Sequence, residues 1–245
     1  RIASILSAYD DLIENNNRRI ALLEQSARLL YEEWFVRLRF PGREHTRIVD
    51  GVPRGWEKIA VSRVTSFLKR GIAPQYDDDA AGLVISQKCV RDGRLNLDLA
   101  RHQSRDFGPD RQIQVGDVLV NSTGEGTLGR VAQVKAPVEN CTVDTHVTIV
   151  RPARDAGLHF FGLAMLAYES QFSTMGRGAT NQTELSPAQI GSISILLPPH
   201  AIMDEFESFA APIYEQITNL TAQSQKARAA RDLLLPRLMS GEVAA

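Results

Sequence analysis

Two stretches of seven-residue apolar periodicity, one near each end of the 245-residue chain, constrain its architecture more than any other feature. Leu6, Ile13, Ile20, Ala27 and Trp34 recur every seven residues, and Ile2, Tyr9, Asn16, Leu23 and Leu30 form a second row four residues earlier. Alternating three- and four-residue spacing is the seam of a coiled coil. An amphipathic helix lying on a globular core would present a similar face. Asn16 favours the coiled coil, because an Asn within a seam fixes register at some cost in stability. Phe40-Pro41-Gly42 ends the pattern. The period returns after Pro199, with Phe206, Ile213, Leu220, Ala227 and Leu234 in one row and Ala210, Ile217, Ser224, Arg231 and Leu238 in the other. Gly241 is the expected C-cap beyond its last apolar residue. Displaced by 204 residues, the two patterns run in phase: Ile13 falls on Ile217, Asn15 on Asn219, Leu29-Leu30 on Leu233-Leu234 and Trp34 on Leu238. The chain therefore reads as helix, globular insert, related helix.

Between the helices the period changes. Residues 41–55 carry Pro41, Gly42, Asp50-Gly51, Pro53 and Gly55 and read as a linker. Within 56–200, Asp117–Asn121, Thr145–Val150 and Ser194–Leu197 read as strands. A helix is expected from Leu158 to Thr174, and another from Ser186-Pro187, an N-cap serine with proline in the first helical position. The expected fold is α+β, a mixed α/β domain inserted between two long helices that pair as an antiparallel coiled coil. Its divisions are 1–40 (first helix), 41–55 (linker), 56–200 (insert) and 201–245 (distal helix).

Several function classes fail on their motifs. Gly124-Glu125-Gly126-Thr127-Leu128-Gly129 has the dinucleotide-binding spacing, yet Arg130–Lys135 continues as a strand where a phosphate-holding helix should begin. Asp106-Phe107-Gly108 precedes that loop, the reverse of the kinase order, and no H-R-D is present. No Walker A sequence, N-P-P-Y-type segment or G-x-S-x-G setting occurs, so no cofactor is expected and the chain is not expected to be an enzyme. His45, His102, His146, His159 and His200 are scattered without metal-ligand spacing. Cys89 and Cys141 stand apart, as free thiols of a reducing compartment do. No apolar run approaches the ~20 residues of a membrane span, and no leader is recognisable, so a cytoplasmic location is expected. The chain opens on Arg1-Ile2, already within the heptads, which reads as a piece of a longer protein.

The ordered pieces resemble a family. They are Arg1–Asn16, Arg19–Glu24, Trp34-Phe35, Phe40-Pro41-Gly42, Pro53–Glu57, Val115–Val120 with the Thr123-Gly124 turn, Gly178–Gln182, Leu185-Ser186, Ile195–Pro199 and Arg231–Glu242. Together they resemble the specificity subunit of type I restriction-modification systems, over one target-recognition domain and both flanking conserved helices. The pattern departs at Ile202-Met203, where members often show an acidic residue and Gln. The resemblance implies a non-catalytic subunit that reads one half of a split target in double-stranded DNA. It further implies helices that dock methyltransferase (M) subunits, and a complex that includes the restriction/translocase (R) subunit. A chain with one recognition domain would be half of a longer subunit, or a half-subunit that pairs with a second copy as a homodimer. A coiled-coil scaffold without a DNA role remains the alternative reading of the pattern.

Net charge is only -1, and residues 40–200 hold eighteen basic and seventeen acidic side chains, so DNA affinity requires a local patch or a cationic partner. Lys69, Arg70, Lys88, Arg91, Arg94, Arg101 and Arg105 are the candidate phosphate contacts. Arg177 with Thr180, Asn181 and Gln182 is the candidate base-reading group, since guanidinium and amide groups suit guanine and adenine edges. Ser122 and Thr123, in the turn after the central strand, complete the DNA-binding set.

Overall fold

The computed structural model describes residues 2–176 and 184–240. In chain order the elements are α1 (Ile2–Tyr31), β1 (Ile48–Val49), β2 (Val52–Pro53), β3 (Glu57–Ala60), β4 (Thr65–Arg70), β5 (Gly82–Ile85), β6 (Val90–Arg91), β7 (Arg94–Leu95) and β8 (Arg101–Gln103). They continue with β9 (Val118–Asn121), β10 (Val131–Gln133), β11 (Cys141–Val143), β12 (Val147–Pro152), α2 (Leu158–Ala167), α3 (Glu169–Met175), α4 (Pro187–Ser192), β13 (Ser194–Leu197) and α5 (His200–Ser240). Two compact units result, one of residues 1–33 with 208–245 and the other of residues 34–207.

The first unit is the helix pair. Ile20 packs with Ile217 and Leu220, flanked by Leu23, Ile213 and Tyr214. Asp10, earlier in α1, receives Arg231 Nη1 at 2.7 Å from later in α5. Residue numbers thus rise along one helix as they fall along the other, so the pair is antiparallel. Ile13, Asn16, Ile20 and Ala27 are buried on one helix, and Ala210, Ile217, Leu220, Ser224 and Ala227 on the other. These are seam positions of the heptads. Asn16 Nδ2 and Ser224 Oγ are buried without a hydrogen-bond partner. A polar layer of this kind costs stability and penalises other registers.

The second unit is the mixed domain. Its main sheet has the order β10-β9-β12-β4 and is antiparallel throughout. A second sheet sets β5 parallel to β11 and antiparallel to β8. Between them lies a core that includes Ile85, Leu119, Val143 and Ile149. Cys89 and Cys141 belong to the same core, and burial pushes the Cys141 thiol up to about 12. The chain enters through β3 and leaves through β13, which pair from Glu57↔Leu197 to Ala60↔Ser194. Adjacent entry and exit strands are what an insertion between two helices requires.

Three details differ from the sequence expectations. The expected linker holds a 3-10 turn at Arg43–His45 and the β1-β2 hairpin, closed by Asp50 (φ 50) and Gly51 (φ 77). The expected helix from Leu158 to Thr174 is broken at Tyr168 (φ -89, ψ 0), whose hydroxyl donates to Ser194 O at 2.6 Å. The α1 backbone passes into a π-helical turn at Glu32–Val36. The wider turn lets the adjacent rings of Trp34 and Phe35 both be buried. Phe35 lies 4.7 Å from Phe160 and 4.9 Å from Phe206, both edge-on.

Glu207 shows how the start of α5 supports this domain. Its Oε1 accepts the N–H groups of His159 and Phe160 at 2.9 Å, and its Oε2 lies 2.6 Å from His159 Nδ1. It therefore caps α2 from a distance, satisfying donors that a helix start cannot satisfy itself. Glu207→Ala is expected to lower unfolding free energy by about 1–3 kcal/mol in urea denaturation. An unchanged midpoint would show that water replaces the carboxylate without loss.

Candidate nucleic-acid interface

Where β9 ends and β12 begins, three connections are hydrogen-bonded to one another. Ser122 N donates to His146 O at 2.8 Å, and Leu185 N donates to Ser122 O at 2.8 Å. These bonds join loop 122–129, turn 144–146 and the segment leading into α4. A fourth piece, the 3-10 turn Gln87–Cys89, is tied in by Asn121, whose Nδ2 donates to Gln87 O at 3.0 Å and Thr127 O at 3.1 Å. The four are hydrogen-bonded into one connected set of loops at one end of the antiparallel sheet.

Backbone bonds close the loop itself. Leu128 N reaches Gly124 O at 2.9 Å, and Gly129 N reaches Asn121 O at 2.8 Å. Gly124, Gly126 and Gly129 all have positive φ. β9 and β10 pair on either side of the loop, so the G-x-G-x-x-G spacing serves a strand connection. Arg130 Nη2 donates to Gly126 O at 2.7 Å, which leaves its guanidinium beside the loop tip.

The candidate residues divide by what they touch. Lys88 is exposed in the turn against this loop. Arg91 and Arg94 are exposed on the β6-β7 hairpin, with Arg91 Nε 3.6 Å from Asp92. Lys69 is exposed on β4, its ammonium 5.4 Å from the Phe67 ring centroid. Arg70 differs: its Nη2 lies 2.6 Å from Glu184 and donates to Leu185 O, so it braces the segment before α4. Ser122 departs from the expectation of a DNA-facing hydroxyl. It is fully buried, with Oγ 2.6 Å from Thr148 Oγ1, because it directly follows β9 and is closed in by backbone bonds to His146 and Leu185. Thr123 is half-buried, with Oγ1 2.6 Å from His146 Nδ1. Arg177, Thr180, Asn181 and Gln182 lie outside the described residues.

Arg101 and Arg105 belong to a different edge, along β8. Arg101 stacks over Tyr76 at 3.6 Å, and Arg105 Nη1 donates to Ala73 O at 2.6 Å. Asp77-Asp78-Asp79 follow Tyr76, and Asp77 N is bonded to His102 O. The acidic run next to Tyr76 gives this edge at least as much formal negative charge as Arg101 and Arg105 give it positive, which weakens it as a phosphate-binding patch. The surface with Lys88, loop 122–129 and His146 has no such run.

His146 and Gln87 also belong to these loops, and neither lies in the candidate set that the sequence offers. The sequence pattern runs the strand over Thr145–Val150, whereas β12 starts at Val147 and leaves His146 in the turn before it. Asp144 Oδ1 accepts His146 N at 2.8 Å, a side-chain turn that holds the residue outside the sheet. An Asp two residues ahead of a polar residue was the available signal. Burial raises the Asp144 carboxyl above its ordinary range, opposed by the His146 backbone N–H and imidazole. Gln87 Oε1 and Asn121 Oδ1 are buried without a partner, leaving two acceptors unused at the loop base. Among the described residues no three His, Cys, Asp or Glu side chains converge as a metal site. No helix among them is long and apolar enough to cross a membrane.

No protein-family model matches the chain. In sequence it is similar to the type I restriction enzyme MjaIX specificity subunit of Methanocaldococcus jannaschii, 26% identical over 259 residues that cover 99% of this chain and 58% of that protein. It is also similar to the type I restriction enzyme HindI specificity subunit of Haemophilus influenzae, 25% identical over 206 residues, 78% of this chain and 42% of that protein. The chain thus spans about half the length of the curated relatives it matches. Among solved structures it is similar to the type I restriction-modification S subunit from M. genitalium, with TM-score 0.63 and 13% identity over 96% of this chain and 58% of that one. The HsdS subunit from Thermoanaerobacter tengcongensis aligns with TM-score 0.50 and 14% identity over 99% of this chain and 57% of that one. The α+β fold between two long helices and the family resemblance drawn from the sequence are both borne out by these relatives.

Proposed function

We propose that this chain is a DNA-reading specificity component of a type I restriction-modification assembly, recognising one half of a bipartite target. The observation that carries this reading is the match to one specificity subunit along 99% of the chain and to a second along 78%. The geometry supports it: a rigid sheet carries a connected loop surface with an adjoining cation, as a groove reader needs. The chain itself does no chemistry in this reading. Methyltransferase subunits dock on the helix pair, whose Leu12, Leu22, Leu29, Leu233 and Leu235 are exposed, and a restriction subunit joins them. The second half-site is read by another recognition domain, in the same protein or in a second copy.

The test is titration of short duplexes with the chain alone and with its methyltransferase subunit, at several salt concentrations. The chain alone should bind weakly and with little preference, given its net charge of -1, and the complex should select a sequence. Within the complex, Lys88→Ala should weaken all duplexes alike and lower the salt slope by about one phosphate contact. Arg177→Ala or Gln182→Ala should relax particular base positions instead. A complex that binds every duplex equally overturns the reading.

A further inference from the structure

The tip of turn 144–146 is held more firmly than an exposed loop residue needs to be. His146 is exposed, yet it is fixed at three points. Its backbone N–H goes to the buried Asp144 carboxylate at 2.8 Å, and its carbonyl accepts Ser122 N at 2.8 Å. Its ring Nδ1 lies 2.6 Å from Thr123 Oγ1. Nε2 is the one polar ring atom without a partner among the described residues. Such bracing costs entropy, since an unconstrained surface imidazole samples several rotamers. The two backbone bonds hold the turn, and the Thr123 bond is the one that restrains the ring and gives Nε2 a set direction. A phosphate contact tolerates a swinging side chain, whereas a base edge demands a fixed donor or acceptor.

We infer that His146 is a specificity-determining residue, whose Nε2 hydrogen-bonds a purine edge in the major groove while Thr123 positions the ring. The inference rests on the DNA-reading role proposed above and adds a residue and a base class to it. Thr123 and His146 come from loops that follow and precede neighbouring antiparallel strands, β9 and β12, so the sheet sets their spacing. The Thr123 hydroxyl selects the imidazole tautomer: by donating to Nδ1 it leaves Nε2–H as a donor to guanine O6 or N7. By accepting from Nδ1–H it leaves Nε2 as an acceptor for the adenine amino group.

The test compares motifs selected from a randomised double-stranded DNA library by the assembled complex carrying wild-type, His146→Ala, His146→Gln or Thr123→Val chains. Thermal melting is run on each chain to establish that it folds. The His146→Ala complex should lose discrimination at one purine position of one half-site by roughly tenfold, the worth of one base-edge hydrogen bond. All other positions should be retained. Thr123→Val should give a smaller loss at the same position, and 7-deaza substitution of that purine should reproduce the loss where N7 is the contact. An unchanged motif, or equal weakening at every position, overturns the inference while leaving the DNA-reading role in place. Failure of the wild-type complex to select any motif would instead remove the role on which the inference rests.

Discussion

Asp117→Ala should lower the unfolding free energy by about 3–5 kcal/mol, the range for removing one partner of a buried ion pair. Asp117 has no exposed surface, and its two oxygens receive Arg151 Nε at 2.7 Å and Nη2 at 2.8 Å. Gln114 N also donates to it at 2.8 Å. Arg151 in turn donates to the carbonyls of Asp110 and Gln112, so one guanidinium fastens β12 to the chain leading into β9. Without the carboxylate, a guanidinium whose side chain is only 14% exposed loses its counter-charge. Urea denaturation gives the value. Asp117→Asn should fall between wild type and Ala, because it keeps an acceptor for Gln114. Combining Asp117→Ala with Arg151→Met should recover part of the loss, since no buried charge then remains. A loss under about 1 kcal/mol for the single variant would mean that water reaches the pair.

Gly129→Ala should cost about 3 kcal/mol or more. A Cβ there would stand 2.4 Å from Ser173 N and 2.7 Å from Phe172 C, backbone atoms of α3 that cannot swing aside. The φ of +80° adds strain for any L side chain. Gly126→Ala is the internal comparison. It has a similar φ of +68° but nothing within 4 Å, so only about 1–2 kcal/mol of backbone strain is expected. The difference between the two melting curves separates close packing from conformational freedom. Equal effects would show that α3 yields to the new methyl group. Because loop 122–129 carries Thr123, the Gly129 variant should also lose sequence selection in the assembled complex.

The sequence by itself determined the parts whose signal is periodic. Seam positions such as Ile13, Ile20, Ile217 and Leu220 were legible because a long helix repeats its buried face at fixed intervals. The hairpin reading of Gly124–Gly129 was legible too, since the residues after it alternate as a strand. What only the tertiary structure decided were features that depend on residues far apart in the chain. Ser122 and Thr123 are neighbours with the same hydroxyl chemistry, yet one is sealed against Thr148 and the other meets His146, because the chain turns away from the sheet just after β9 ends at Asn121. Arg70 has the sequence setting of a free cation, yet Glu184, 114 residues later, pairs with it. His146 meets Thr123, 23 residues away in the chain, only because two loops are brought to the same end of the sheet. Arg101 stacks on Tyr76, the residue just ahead of Asp77-Asp78-Asp79, a neighbourhood that their separation of 25 residues along the chain does not reveal. Periodicity is local and is written along the chain. Charge pairing and the bracing of a side chain are set by which segments the sheet makes neighbours, and no local pattern records that.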